Sequence, residues 1–113
     1  MEPGTSGSSA HIAVAYWAYS DGNCTETTCR LSVGLIQSHD GGTTWEPPVH
    51  VAGPFMNTWF PLQTIGHMVG DYSAVAFVPG GALPVFAVAK PSACQLGVND
   101  CLVAMAAPKV PLP

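Results

Sequence analysis

The residues suited to chemistry in this sequence are few. Four cysteines form two close pairs, Cys24/Cys29 and Cys94/Cys101, and each pair brackets a short polar loop. Cysteines paired at loop mouths point to disulfides and an oxidising compartment. The alternative is metal binding. The spacings C-x4-C and C-x6-C are looser than those of a zinc knuckle, so disulfides are the expectation and no metal site is expected. His67 and Asp71 stand four apart and can chelate a cation, yet two ligands make no site. Asp71 heads a predicted strand. It is a candidate general acid/base if buried, and otherwise a cap for its own turn through backbone N–H groups. Tyr72 supplies a hydroxyl or a flat ring, or simply packs. Trp59, with Phe55 and Phe60, offers either a platform for a ligand or a plug between packed elements. His11, His39 and His50 are expected on surfaces or strand edges. No cofactor is expected.

The elements that must position these residues read as strands. The chain has 113 residues, enough for one small domain with its own core. Apolar residues make up 48% and charged residues 9%, which excludes a charged disordered tail and a coiled coil. Glycine (12) and proline (11) are abundant, as in short strands joined by turns. The net charge of −4 repels phosphate backbones, so no nucleic-acid partner is expected. No stretch approaches the ~18 apolar residues of a membrane span. Strands are predicted at 11–19, 31–37, 45–51, 71–78, 82–89 and 102–107. Residues 1–10 are small and polar, and are expected to be flexible. The adjacent Pro47 and Pro48 place the third strand at a sheet edge. Residues 52–70 read as a long connecting loop. Residues 108–113, a proline-rich tail, are expected to end regular structure. Asn23-Cys24-Thr25 is a weak N-glycosylation acceptor pattern.

Two patterns organise these strands. AYWAYSDGNC…CRLSVGLIQS echoes PVFAVAKPSAC…CLVAMAAPK, each copy being strand, cysteine loop, strand. Such a repeat suits a radial β architecture. The second pattern is Ser38-His39-Asp40-Gly41-Gly42-Thr43-Thr44-Trp45, which fits S-x-D-x-G-x-T-W at every fixed position. Asp40 can accept backbone N–H bonds within the turn. Gly42 permits a positive φ. The Ser38 and Thr44 hydroxyls can bond across the hairpin, and Trp45 can bury a large area over it. These roles are structural.

The octapeptide resembles the Asp-box, or BNR repeat. The wider stretches GLIQSHDGGTTWEPPVHVAGP and GHMVGDYSAVAFVPGGALPVFAVA resemble secreted sialidase-like BNR proteins of bacteria. The resemblance covers most of residues 11–107. It implies an all-β fold: about one and a half blades of an Asp-box β-propeller with antiparallel four-stranded blades. One blade part spans 11–51 and the second 71–107. In that topology the Asp-box turn and the Pro79–Gly81 turn share one rim. Both cysteine loops and residues 52–70 share the other, where sialidases bind substrate. The contacts implied there are Asp71 and Tyr72 as catalytic residues and Trp59, His67 and Arg30 as substrate-binding ones, with Glu26 and Asp100 beside them.

The resemblance implies a fragment of an exported sialidase-like glycoside hydrolase, with a non-catalytic carbohydrate- or protein-binding propeller segment as the alternative. Catalysis by this chain alone is not expected. Sialidases hold the substrate carboxylate with three arginines, and Arg30 is the only arginine here. No F/Y-R-I-P element is present, and none of Glu2, Glu26 and Glu46 is convincingly placed beside Tyr72 to form a nucleophile pair. Glycoside hydrolysis generally needs two facing carboxylates, and Asp71 is one without a named partner. The partners implied are a glycan or glycoconjugate and either further blades of a longer parent or a second copy. The N-terminus shows no signal peptide although the paired cysteines look exported, so a secreted or periplasmic parent with a missing leader is the expectation.

Overall fold

The computed structural model describes residues 1–70, 73–92, 94–96 and 101–113. Among these the secondary structure is all β apart from two single 3-10 turns, Gly7–Ser9 and Asn57–Trp59. Three strands form the first antiparallel sheet in the order β1 (Ile12–Tyr19), β2 (Arg30–Ser38), β3 (Val49–Met56). Two short strands, β4 (Leu62–Gln63) and β5 (Gly66–His67), make a small hairpin. The last sheet is centred on β7 (Gly81–Ala89), flanked by β6 (Ala74–Val78) on one edge. β8 (Val103–Ala106) and β9 (Val110–Pro111) lie along its other edge.

The two central strands, β2 and β7, are buried along most of their length. Central strands covered on both faces read as apolar runs rather than as alternation. Leu31, Val33 and Leu35 all point inward from β2 and are nearly inaccessible. Leu35 packs with Ala82 of β7 and Val110 of β9, surrounded by Ala13, Ala15, Val51, Val75 and Phe77. Leu31 packs with Ala87, Ala89 and Phe60. Alanine on β1 and β7 lets the sheets approach closely, and Phe60 fills the space between them. Edge-to-face contacts surround that ring, from Trp17 at 6.1 Å and from Phe55 at 6.1 Å. On the outer side of β2, Gly34 faces Tyr16 across the β1 ladder. A Cβ there would come within 2.5 Å of the phenol ring, so glycine makes room for the tyrosine.

The turn between β2 and β3 is held largely by Asp40. Its Oδ1 accepts from the Thr44 amide (2.8 Å) and the Ser38 hydroxyl (2.9 Å), and its Oδ2 accepts from the Thr44 hydroxyl (2.6 Å). Ser38 Oγ in turn accepts from the Gly42 amide at 2.9 Å. Gly42 has φ 91°, the left-handed backbone expected of it. Trp45 departs from expectation. Its ring lies beside Gly42 but is 43% exposed, because residues 45–48 precede the strand and have no sheet partner.

Three expected boundaries move. The third strand is Val49–Met56, not 45–51. Glu46 N closes the turn on Gln37 O at 2.8 Å, and Pro47 and Pro48 fall outside the ladder because they have no N–H to donate. The edge position holds, since among the described residues β3 pairs only with β2 and so tolerates Pro54. Residues 52–70 are therefore not one loop: they complete β3 and build the β4–β5 hairpin. The proline-rich tail carries β9, where Val110 is buried against Ala82 and Lys109 Nζ donates to Pro79 O at 2.7 Å. Pro111 sits on an outer edge, where its missing N–H leaves no gap.

His11 also moves, from surface to interior. It is 3% exposed, its Nδ1 meets Glu2 Oε2 at 2.8 Å, and its Nε2 meets Gln37 Oε1 at 3.0 Å. His39 stacks on it with centroids 4.1 Å apart. Residues 1–10 reach the same spot: Glu2 N donates to His11 O at 2.8 Å, and Gly41 N donates to Ala10 O at 3.0 Å.

Two outcomes follow for stability. Leu35→Ala should cost about 2–5 kcal/mol in urea unfolding, since a fully buried leucine leaves a cavity between two sheets; a loss under about 1 kcal/mol would contradict this packing. The Thr44 hydroxyl and amide, then the Ser38 hydroxyl, hold the Asp40 carboxyl down from 3.8 to about 2. A depressed carboxyl stabilises the fold above its unfolded value and loses that contribution as pH falls through about 2. Asp40→Asn should thus lower Tm at pH 7, and the gap to the unaltered chain should shrink towards pH 2; a gap independent of pH would refute the role.

Candidate functional site

Strand direction separates the two ends of the molecule. β2 runs away from the end that carries the cysteine loops, from Arg30 to Ser38, and β7 runs towards it, from Gly81 to Ala89. The hairpin turn of β1–β2 holds Cys24 and Cys29, bonded with Cα atoms 4.9 Å apart. The connection from β7 to β8 holds Cys94 and Cys101, also bonded, with Cα atoms 5.2 Å apart. The two expected disulfides are thus both present, a feature of proteins that mature in an oxidising environment.

The first cysteine loop is held by local hydrogen bonds. Thr25 O accepts from the amides of Thr28 (3.0 Å) and Cys29 (2.8 Å), and Thr28 Oγ1 accepts from Thr25 N (2.8 Å). Asn57 ties this loop to the segment after β3. Its amide N donates to Cys29 O at 2.9 Å, its Nδ2 donates to Glu26 O at 3.2 Å, and its carbonyl accepts from Phe60 N at 3.2 Å. Asn57 is buried, and every one of these groups would cost free energy if left unpaired. Phe60, anchored in the core, then presents its carbonyl to His67 Nδ1 at 2.6 Å. Met68 N donates to Pro61 O at 2.9 Å and closes the base of the hairpin.

These ties enclose an open cleft of about 880 Å³, bounded by the Cys24–Cys29 loop, the β4–β5 hairpin and Leu96. Asp21, Glu26, Asn57 and His67 are among its polar lining. His67 Nε2 lies 3.9 Å from Glu26 Oε1. Asp21 Oδ1 also caps its own turn by accepting from Asn23 N at 2.8 Å.

No protein-family model, curated protein or solved structure matches this chain. The site therefore rests on its own geometry. Of the residues singled out in the sequence, His67 and Glu26 meet in the cleft. Trp59 does not line it. Its side chain packs with Leu31, Phe60, Ala87 and Ala89, from elements of both sheets. Arg30 is exposed at the start of β2, paired in the ladder with Met56, and is not part of the cleft lining. Asp71, Tyr72 and Asp100 lie outside the described residues. Asn57 was not singled out, and nothing in its sequence context marks it: a lone asparagine before a threonine reads as ordinary loop. The described residues contain no group of three or more His, Cys, Asp or Glu side chains that could hold a metal ion.

Asn57→Ala should lower stability by about 1–3 kcal/mol, as expected for unpaired buried partners. It should also speed proteolysis within residues 24–29 while far-UV circular dichroism keeps its β signature. Unaltered proteolysis would show that the cysteine loop needs no help from Asn57.

Proposed function

We propose that this chain forms two adjacent, partial blades of an exported sialidase-like Asp-box propeller and supplies one wall of its carbohydrate site. The observation that carries the reading is the cleft. It is built from the Cys24–Cys29 loop and the segment after β3, at the end of the first sheet opposite the Ser38–Trp45 turn. This is the rim where the family resemblance puts substrate. Two antiparallel sheets packed through their central strands support the blade assignment, because propeller blades are antiparallel sheets arrayed around an axis. The two disulfides support the exported compartment. No helix among the described residues is long and apolar enough to cross a membrane.

In the hydrolase reading, Asp71 acts as general acid/base and Tyr72 assists it, and His67 and Glu26 line the cleft. Hydrolysis of fluorogenic glycosides, sialosides included, by the intact protein tests this. Asp71→Ala should lower turnover at least about 100-fold at unchanged Tm, in line with loss of proton transfer. Full turnover in that variant removes Asp71 from the chemistry.

A second reading, carbohydrate binding without hydrolysis, is favoured by one observation: the single arginine lies outside the cleft lining. Sialoside cleavage leans on guanidinium groups for the substrate carboxylate. Binding on a glycan array with no hydrolysis of any arrayed sugar would select this reading.

A further inference from the structure

The space between Glu26 and His67 has a recognition chemistry of its own. The His67 side chain is 7% exposed, whereas that of Glu26 is 60% exposed. His67 Nδ1 lies 2.6 Å from the Phe60 carbonyl oxygen. A carbonyl only accepts, so Nδ1 carries a proton, and when the ring holds that proton alone, Nε2 is an acceptor facing the cleft. That Nε2 makes no hydrogen bond among the described residues, and it faces Glu26 Oε1 at 3.9 Å. Two acceptors at this distance do not bond to each other. In that form a donor placed between them can reach both.

Charge narrows the donor. Asp21 adds a second carboxylate to the lining. The sequence has three basic residues, and all of them are elsewhere. Arg30 begins β2, Lys90 follows β7, and Lys109 is bound to Pro79 O beyond the β6–β7 turn. The cleft is therefore a concave surface of one sign, which draws cations and repels anions.

We infer that this cleft binds the ammonium group of an amino sugar, held between Glu26 Oε1 and His67 Nε2. The inference rests on the carbohydrate reading of the same cleft and names its ligand class. An ammonium has three N–H donors, enough to bridge both acceptors at once. Its bond to Glu26 is charge-assisted, the stronger kind. N-acetylation removes the charge and leaves a single N–H. A sugar carboxylate meets Glu26 and Asp21 with like charge.

The test is chemical-shift titration of the full chain with glucosamine, N-acetylglucosamine and N-acetylneuraminic acid. Glucosamine should bind about tenfold or more tightly than the other two, the scale of one charge-assisted bond. Glu26→Gln, a change at an exposed side chain, should erase that preference with the Tm unchanged. His67→Gln serves as the second variant and should weaken glucosamine binding, with its fold checked by circular dichroism. Equal binding of glucosamine by Glu26→Gln, or a preference for either other sugar, overturns the ammonium assignment and leaves the carbohydrate reading standing. Binding of none of the three sugars overturns both.

Discussion

The contact on which this structure depends is the meeting of β2 and β7. Each is the central strand of its own sheet, and each is buried along most of its length. Neither sheet can hide its apolar face alone. A lone sheet of three short strands offers little area, and the hydrophobic term scales with the area removed from water. Stacking the sheets lets Leu31 and Leu35 meet the alanines of β7 at close range, and Phe60 fills the remaining gap. Because protein interiors are packed at crystal-like density, the positions of the surrounding loops are set by this contact.

The cleft inherits its shape from that core. Phe60 is fully buried, yet its backbone reaches outward: its amide bonds to Asn57 and its carbonyl to His67. Asn57 then holds the Cys24–Cys29 loop. A chain of short polar bonds thus connects the apolar interior to the polar wall, and the disulfide limits what the loop can do at its far end. Sites built on such supports hold their geometry better than sites on free loops.

The other end of the molecule is organised by polar side chains as well. Asp40 gathers the Ser38 and Thr44 groups, and His11 joins Glu2 to Gln37. Both arrangements spend the few charged residues of a sparsely charged chain on internal bonds. Arg30, by contrast, is left exposed, and the basic side chains stay away from the cleft.

Local chemistry was legible in the sequence where neighbours along the chain supply it. The all-β class, most strand positions, both disulfides and the turn around Asp40 and Gly42 follow from residues within a few positions of each other. Alternation, turn-formers and short cysteine spacings are local properties. The edge position of β3 was legible too, because proline removes a donor wherever it stands. Tertiary structure decided the rest. It carried β3 through Pro54, paired the proline-rich tail with β7, buried His11, and turned Trp59 towards the core rather than the cleft. It also chose Asn57 as the tie and set Glu26 opposite His67. Each of these depends on groups tens of residues apart, whose meeting is fixed by how two sheets pack and not by any pattern along the chain.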